Sequence, residues 1–122
     1  MTPGFPEFLP LPTKVIDENT ATTLDEQGQP HRVYYNGPTD QLKAMIVGSL
    51  LLDPGNSPHP PHHHPEEEFM LVTEGTGEIF VDGTTYKVGP GAMMYCAGER
   101  LHAITNTGST EMLFYYWKWL AK

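Results

Sequence analysis

The sequence carries a single cysteine, Cys96, in 122 residues. No internal disulfide can form, and nothing points to an oxidising compartment. Basic residues are also scarce, 7 Lys and Arg against 15 Asp and Glu, for a formal net charge of -8. A surface of that sign repels phosphate, which argues against nucleic acid or an anionic membrane as a partner. Long apolar runs are missing: no stretch approaches the roughly 20 residues that span a bilayer. The opening MTPGFPEFLPLPTK has no basic segment followed by a continuous apolar one, so a cytoplasmic protein is the expectation. No amphipathic helical period and no internal repeat can be found.

What the chain has in quantity is glycine and proline, 12 of each. They favour short strands joined by tight turns, and the length suits one domain with one core. Residues 1–14 interleave Pro3, Pro6, Pro10 and Pro12 with Phe5, Phe8, Leu9 and Leu11, which reads as an extended arm whose apolar side chains need a surface. That surface is the chain's own barrel or, the reading preferred here, a second subunit. Thr20 to Pro30 is polar and reads as a loop, so residues 1–30 are arm and loop and 31–122 the β domain. Strands are expected at Val33–Tyr35, Leu42–Leu52, Phe69–Thr73, Glu78–Val81, Thr84–Val88, Met93–Ala97, Leu101–Thr105 and Met112–Trp119, with Asp82-Gly83 as a type I′ hairpin turn. This all-β pattern suggests a sandwich or barrel.

The most informative stretch is GNSPHPPHHHPEEEFMLVTEG, Gly55 to Gly75. On an extended chain His62, His64 and Glu68 share a face, while His63 points away. Two imidazoles and a carboxylate are an N/O ligand set for a divalent transition metal, iron, manganese, nickel, cobalt or zinc, and the lack of nearby thiolates argues against a structural zinc knuckle. Glu66 and Glu67 read as a solvated face, and His59 and His63 as loop residues.

Two spaced motifs then resemble the cupin superfamily. The first is Gly55, a six-residue spacer, His62-His63-His64, three residues, Glu68, six residues and Gly75; the second is Gly91, five residues, Ala97-Gly98-Glu99, two residues, His102, three residues and Asn106. The spacer is one residue longer than usual, and Ala97 and Glu99 stand where the second motif has proline and glycine. The resemblance implies a jelly-roll barrel (double-stranded β-helix) of the cupin type, with a metal held by His62, His64, Glu68 and His102. It also implies a small-molecule substrate or ligand in a mostly apolar lumen, here expected from Met45, Val47, Met70, Val72, Phe80 and Tyr95. A metal-dependent enzyme follows, with a dioxygenase-like oxidoreductase acting on a small organic acid or aromatic compound preferred over an isomerase, lyase or decarboxylase. The alternative is a non-catalytic binding or sensor module. Catalysis needs a further titratable group at the open metal position, for which Arg100, Tyr95 and Glu78 are the candidates. Cys96 reads as a small buried hydrophobe. The outward parity of Phe69 and Leu71, with the arm, suggests a homodimer.

Overall fold

The structure, a computed structural model, describes residues 9–26 and 29–122. Among these residues it has no helix and nine strands: β1 Thr22–Glu26, β2 Gln29–Gly37, β3 Leu42–Leu52, β4 Glu67–Glu74, β5 Gly77–Val81, β6 Thr84–Val88, β7 Met93–Cys96, β8 His102–Thr105 and β9 Met112–Ala121. They form a six-stranded sheet in the order β1-β2-β3-β9-β4-β7 facing a three-stranded sheet in the order β6-β5-β8, and neighbours pair antiparallel. This is the expected all-β barrel.

Alternation places the core. Met70 and Val72 on β4, Met94 and Cys96 on β7, and Met112, Phe114 and Tyr116 on β9 point between the sheets, where they meet Leu52, Ile79 and Ile104. The hairpin β5–β6 turns on Asp82 and Gly83 with φ of 48° and 89°, the two left-handed residues a type I′ turn requires.

Three readings of the sequence change. The polar segment taken as loop contains β1, held by its register with β2 from Thr22↔Val33 to Glu26↔Gln29 rather than by any apolar alternation of its own. On β3 the inward parity is Ile46, Leu50 and Leu52, which pack on the core. Met45 and Val47 therefore lie on the outer face, beside their β9 partners Trp119 and Trp117, which stack on Phe69. The described part of the proline-rich arm lies on its own barrel: Leu11 N donates to the Pro38 carbonyl at 2.9 Å, and Tyr35 Oη to the Lys14 carbonyl at 2.6 Å. Phe5 and Phe8 lie outside the described residues.

Candidate metal centre

The loop after β3 is stitched to β8 along its length. Gly55 N donates to the Asn106 carbonyl at 2.7 Å, and Asn106 N to the Asn56 carbonyl at 2.9 Å. Further on, His62 and His102 exchange backbone hydrogen bonds at 3.1 and 2.9 Å, and Glu99 N donates to the His64 carbonyl at 2.7 Å. Each bond satisfies a loop group that would otherwise be costly to enclose, and together they turn His62 and His64 towards His102. One ring nitrogen from each of His62, His64 and His102 lies within 4.8 Å of the other two, so the three could hold a metal ion.

The protons on two of the rings are fixed from behind. His102 Nδ1 lies 3.0 Å from the Arg100 carbonyl and His64 Nδ1 3.0 Å from the Glu66 carbonyl; a carbonyl only accepts, so both Nδ1 atoms carry hydrogen. In the neutral rings each Nε2 is then a lone pair. Those lone pairs face the same Glu68 oxygen, at 3.0 Å from His64 and 3.1 Å from His102. The His102 separation is in range but misaligned for an N–H donor, which leaves its Nε2 a buried nitrogen with no hydrogen-bond partner. Three acceptors converging in a buried pocket require a cation among them, either extra protons on the imidazoles or a metal. The donor set fits a divalent transition metal.

Burial, reinforced by His59, His102 and His64, lowers His62 to about 4, so its imidazole is neutral at pH 7 and ready to bind. For His102 burial pushes the other way, but the Glu68 contact and the Arg100 carbonyl outweigh it and raise its pKa. Glu68 is only 4 % exposed. Burial favours its neutral form, yet His102, Lys118 and His64 together hold the carboxyl below its ordinary range.

The remaining histidines divide as parity requires. His63 is exposed, 3.8 Å from Glu99, whereas His59 stacks on His62 with ring centroids 3.6 Å apart. Cys96 is buried in the core, its thiol 3.4 Å from His102 Nδ1, and burial raises its pKa.

Beside the cluster lies a cavity of about 140 Å³. Its walls are His62 and Glu68, the apolar Leu50, Met70 and Phe114, and three polar residues that sequence reasoning missed, His31, Tyr116 and Lys118. Tyr116 Oη and His31 Nε2 are 2.6 Å apart. The contact spans a strand: the Tyr116 ring on β9 crosses β3 at Gly48, where a Cβ would stand 2.6 Å from the hydroxyl, and reaches His31 on β2. Only glycine leaves that passage open. The strict inward parity of β9, Met112, Phe114, Tyr116 and Lys118, was the one sequence signal for the last two.

The other expected site residues are placed as follows. Met70 lines the cavity; Val72 faces inward but is sealed in the core at 0 % exposure. Phe80 points to the outer face of the small sheet, where it lines a separate pocket with Pro58 and Pro61 of the histidine loop. Tyr95 is 50 % exposed, its hydroxyl donating to Glu67 Oε1 at 2.6 Å on the outer side of the large sheet. Arg100 turns to Asp82 at 3.6 Å, and Glu78 shares the outward parity of Phe80 at the far end of β5. None of the three expected catalytic candidates lines the metal-side cavity: alternation sends Tyr95 and Glu78 to outer faces, and Arg100 lies in the turn between β7 and β8 with its guanidinium towards Asp82.

A Cupin domain family model matches residues 49–118, more than half of the chain. The chain belongs to the cupin family. This cupin is 31 % identical over 116 residues to dimethylsulfoniopropionate lyase DddW of Ruegeria pomeroyi, covering 91 % of the chain and 75 % of that protein. It is 32 % identical over 72 residues to 5-nitrosalicylic acid 1,2-dioxygenase of a Bradyrhizobium species, a match covering 59 % of the chain and only 34 % of the dioxygenase. A solved RmlC-like cupin from Shewanella frigidimarina superposes with a TM-score of 0.75 at 14 % identity, covering 93 % of this cupin and 96 % of that chain, a likeness of fold.

Proposed function

We propose that this cupin is a metal-dependent enzyme that moves a proton on a compact substrate, with lyase-type elimination as its chemistry. The observation that carries the reading is the Tyr116–His31 pair opening onto the same cavity as His62 and Glu68. The residues that would hold the metal are His62, His64 and His102, with Glu68 beside them; when bound, the ion supplies Lewis-acid polarisation of a substrate oxygen. The Tyr116 hydroxyl and the His31 imidazole share one proton across 2.6 Å and can take a second from a carbon acid, so the pair is suited to act as general base. In such an elimination the base removes the proton from the carbon next to an activated carboxyl group. The electron pair forms the new double bond as the bond to the leaving group breaks.

Size supports the choice. The pocket beside the cluster is small, about 140 Å³, and open to solvent on one side, which suits a short-chain molecule. The lyase likeness also spans far more of the relative than the dioxygenase likeness does. An oxygen-dependent reaction, the preference from sequence alone, keeps the nitrosalicylate dioxygenase match in its favour. That none of Arg100, Tyr95 and Glu78 reaches the cavity favours the non-catalytic reading, whereas the Tyr116–His31 pair, which does reach it, favours catalysis.

The test is turnover of 3-substituted propionates, dimethylsulfoniopropionate among them, by the metal-loaded protein in an oxygen electrode. Alkene formation without oxygen uptake is expected, with Tyr116→Phe lowering kcat by about 10²–10⁴-fold at unchanged metal content. Stoichiometric oxygen uptake, or a Tyr116→Phe variant as fast as the parent, would overturn the reading.

A further inference from the structure

On the inner face of β9 in this acidic protein stands a half-buried lysine, Lys118, whose only neighbour among the cluster acids is Glu68, an acid already engaged by two histidines. Lys118 continues the inward parity of Phe114 and Tyr116 on β9, and its two ladder partners, Glu68 on β4 and Ile46 on β3, also face inward. Its side chain lines the cavity, and Nζ lies 5.5 Å from the centroid of the Tyr116 ring. No carboxylate comes within 4.0 Å of it among the described residues. Glu68, the nearest acid on the ladder, has its Oε1 between His64 and His102. An ammonium drawn into a barrel costs free energy unless an anion meets it, and a ring face supplies only part of the compensation.

We propose that Lys118 is the charge-reading residue of the cavity and that the ligand is a compact monocarboxylate, whose carboxylate it binds while the rest of the molecule lies on Leu50, Met70 and Phe114. The proposal rests on the cavity described for the enzymatic reading, but not on the metal. It also explains how a chain of net charge -8 accepts an anion: long-range repulsion is offset by a local positive site inside low-dielectric walls. Cavity volume sets the length of the acid and Lys118 its charge, so the uncharged amide of the same shape should be rejected.

Propionate and propionamide have nearly the same shape but differ in charge, the amide carrying an N–H donor group where the carboxylate only accepts. Each is titrated into the full-length protein, as purified and after chelator treatment, with backbone amide shifts of β4 and β9 as the readout. Propionate should bind at least tenfold more tightly than propionamide in both preparations. Lys118→Met should bring the two to equal affinity, and Lys118→Arg should restore the preference. A merely structural lysine would change melting temperature without changing the ratio of the two affinities. Equal binding of acid and amide by the parent, or an undiminished preference in Lys118→Met, overturns the proposal. If Lys118→Met does not fold, the parent's preference and the Lys118→Arg titration decide it alone. A Lys118-dependent preference in protein that takes up no metal would sink the enzymatic reading and leave this one standing; metal uptake without carboxylate preference would do the reverse.

Discussion

Replacing Asn106 by aspartate exchanges one NH₂ for one oxygen at a fully buried position, and the structure says what that exchange costs. Asn106 Nδ2 donates to the Leu52 carbonyl at 2.9 Å and to the Thr110 carbonyl at 2.8 Å, while Oδ1 accepts from Gly108 N at 3.0 Å. The amide thus joins the end of β3 to the loop before β9, next to the backbone bonds that anchor the histidine loop at Gly55 and Asn56. A protonated carboxyl can serve only one of the two carbonyls, so at pH 4 the loss is one buried hydrogen bond, about 1–3 kcal/mol. An ionised carboxyl serves neither and repels both. Its folded pKa must rise above the unfolded value of about 3.9, so stability is retained below that pH and falls as pH rises, by up to about 4 kcal/mol more at pH 7. With an unfolding entropy of roughly 2.1 cal/mol/K per residue, 1 kcal/mol corresponds to about 4 °C in a chain of this length. The Asn106→Asp variant should therefore melt about 4–12 °C below the parent at pH 4, and the gap should widen steadily to pH 7 in paired thermal scans. A gap that is constant with pH, or smaller than about 2 °C at pH 7, would refute the role assigned to this amide.

Four further outcomes follow from the same geometry. Metal affinity should fall as pH drops from 7.5 to 5, because His102, raised above 6.5, takes up a proton first, whereas His62 stays neutral to about 4; calorimetric titration at each pH checks this, and a flat profile counts against histidine ligation. Gly48→Ala places a methyl group 2.6 Å from the Tyr116 hydroxyl, so it should destabilise by about 1–3 kcal/mol and break the contact with His31, seen as a shifted His31 ring resonance. Gly75→Ala should cost several times more than Gly55→Ala in denaturant unfolding: both have positive φ, but a Cβ at Gly75 meets the Glu111 carbonyl at 2.4 Å, whereas at Gly55 nothing lies within 4 Å. Glu99, held at φ 64°, should tolerate glycine with a gain of about 0.5–1 kcal/mol, read as a rise in melting temperature.

Much of the barrel was legible because alternation and turn chemistry are local. The ends of β3 and β6 and the Asp82-Gly83 turn follow from their own residues, and Glu68 was separable from Glu66 and Glu67 by its spacing to Gly75 together with strand parity. The polar β1 was not legible, since its stability comes from pairing with β2. Nor was the inward face of β3: both faces are apolar because one packs on the core and the other on Trp117 and Trp119, and a pattern with two apolar faces does not say which is inside. That ambiguity misplaced Met45 and Val47. The Tyr116–His31 contact joins residues 85 apart through a gap left by a glycine on a third strand, an arrangement without any local signature. Tyr95, Arg100 and Glu78 were candidates through nearness in sequence to the histidines or the lumen strands; the pleat directs Tyr95 and Glu78 away, and the turn between β7 and β8 carries Arg100 to Asp82.

His62, His64 and His102, with Glu68 beside them, are placed to hold a metal ion. Elemental analysis of the protein after exposure to iron, manganese, nickel, cobalt and zinc salts and gel filtration tests this most directly. About one equivalent of a bound divalent transition metal is expected in the parent, and little or none in His62→Ala and His102→Ala. Equal metal content in parent and variants, or none in the parent with any of the five ions, would contradict this assignment.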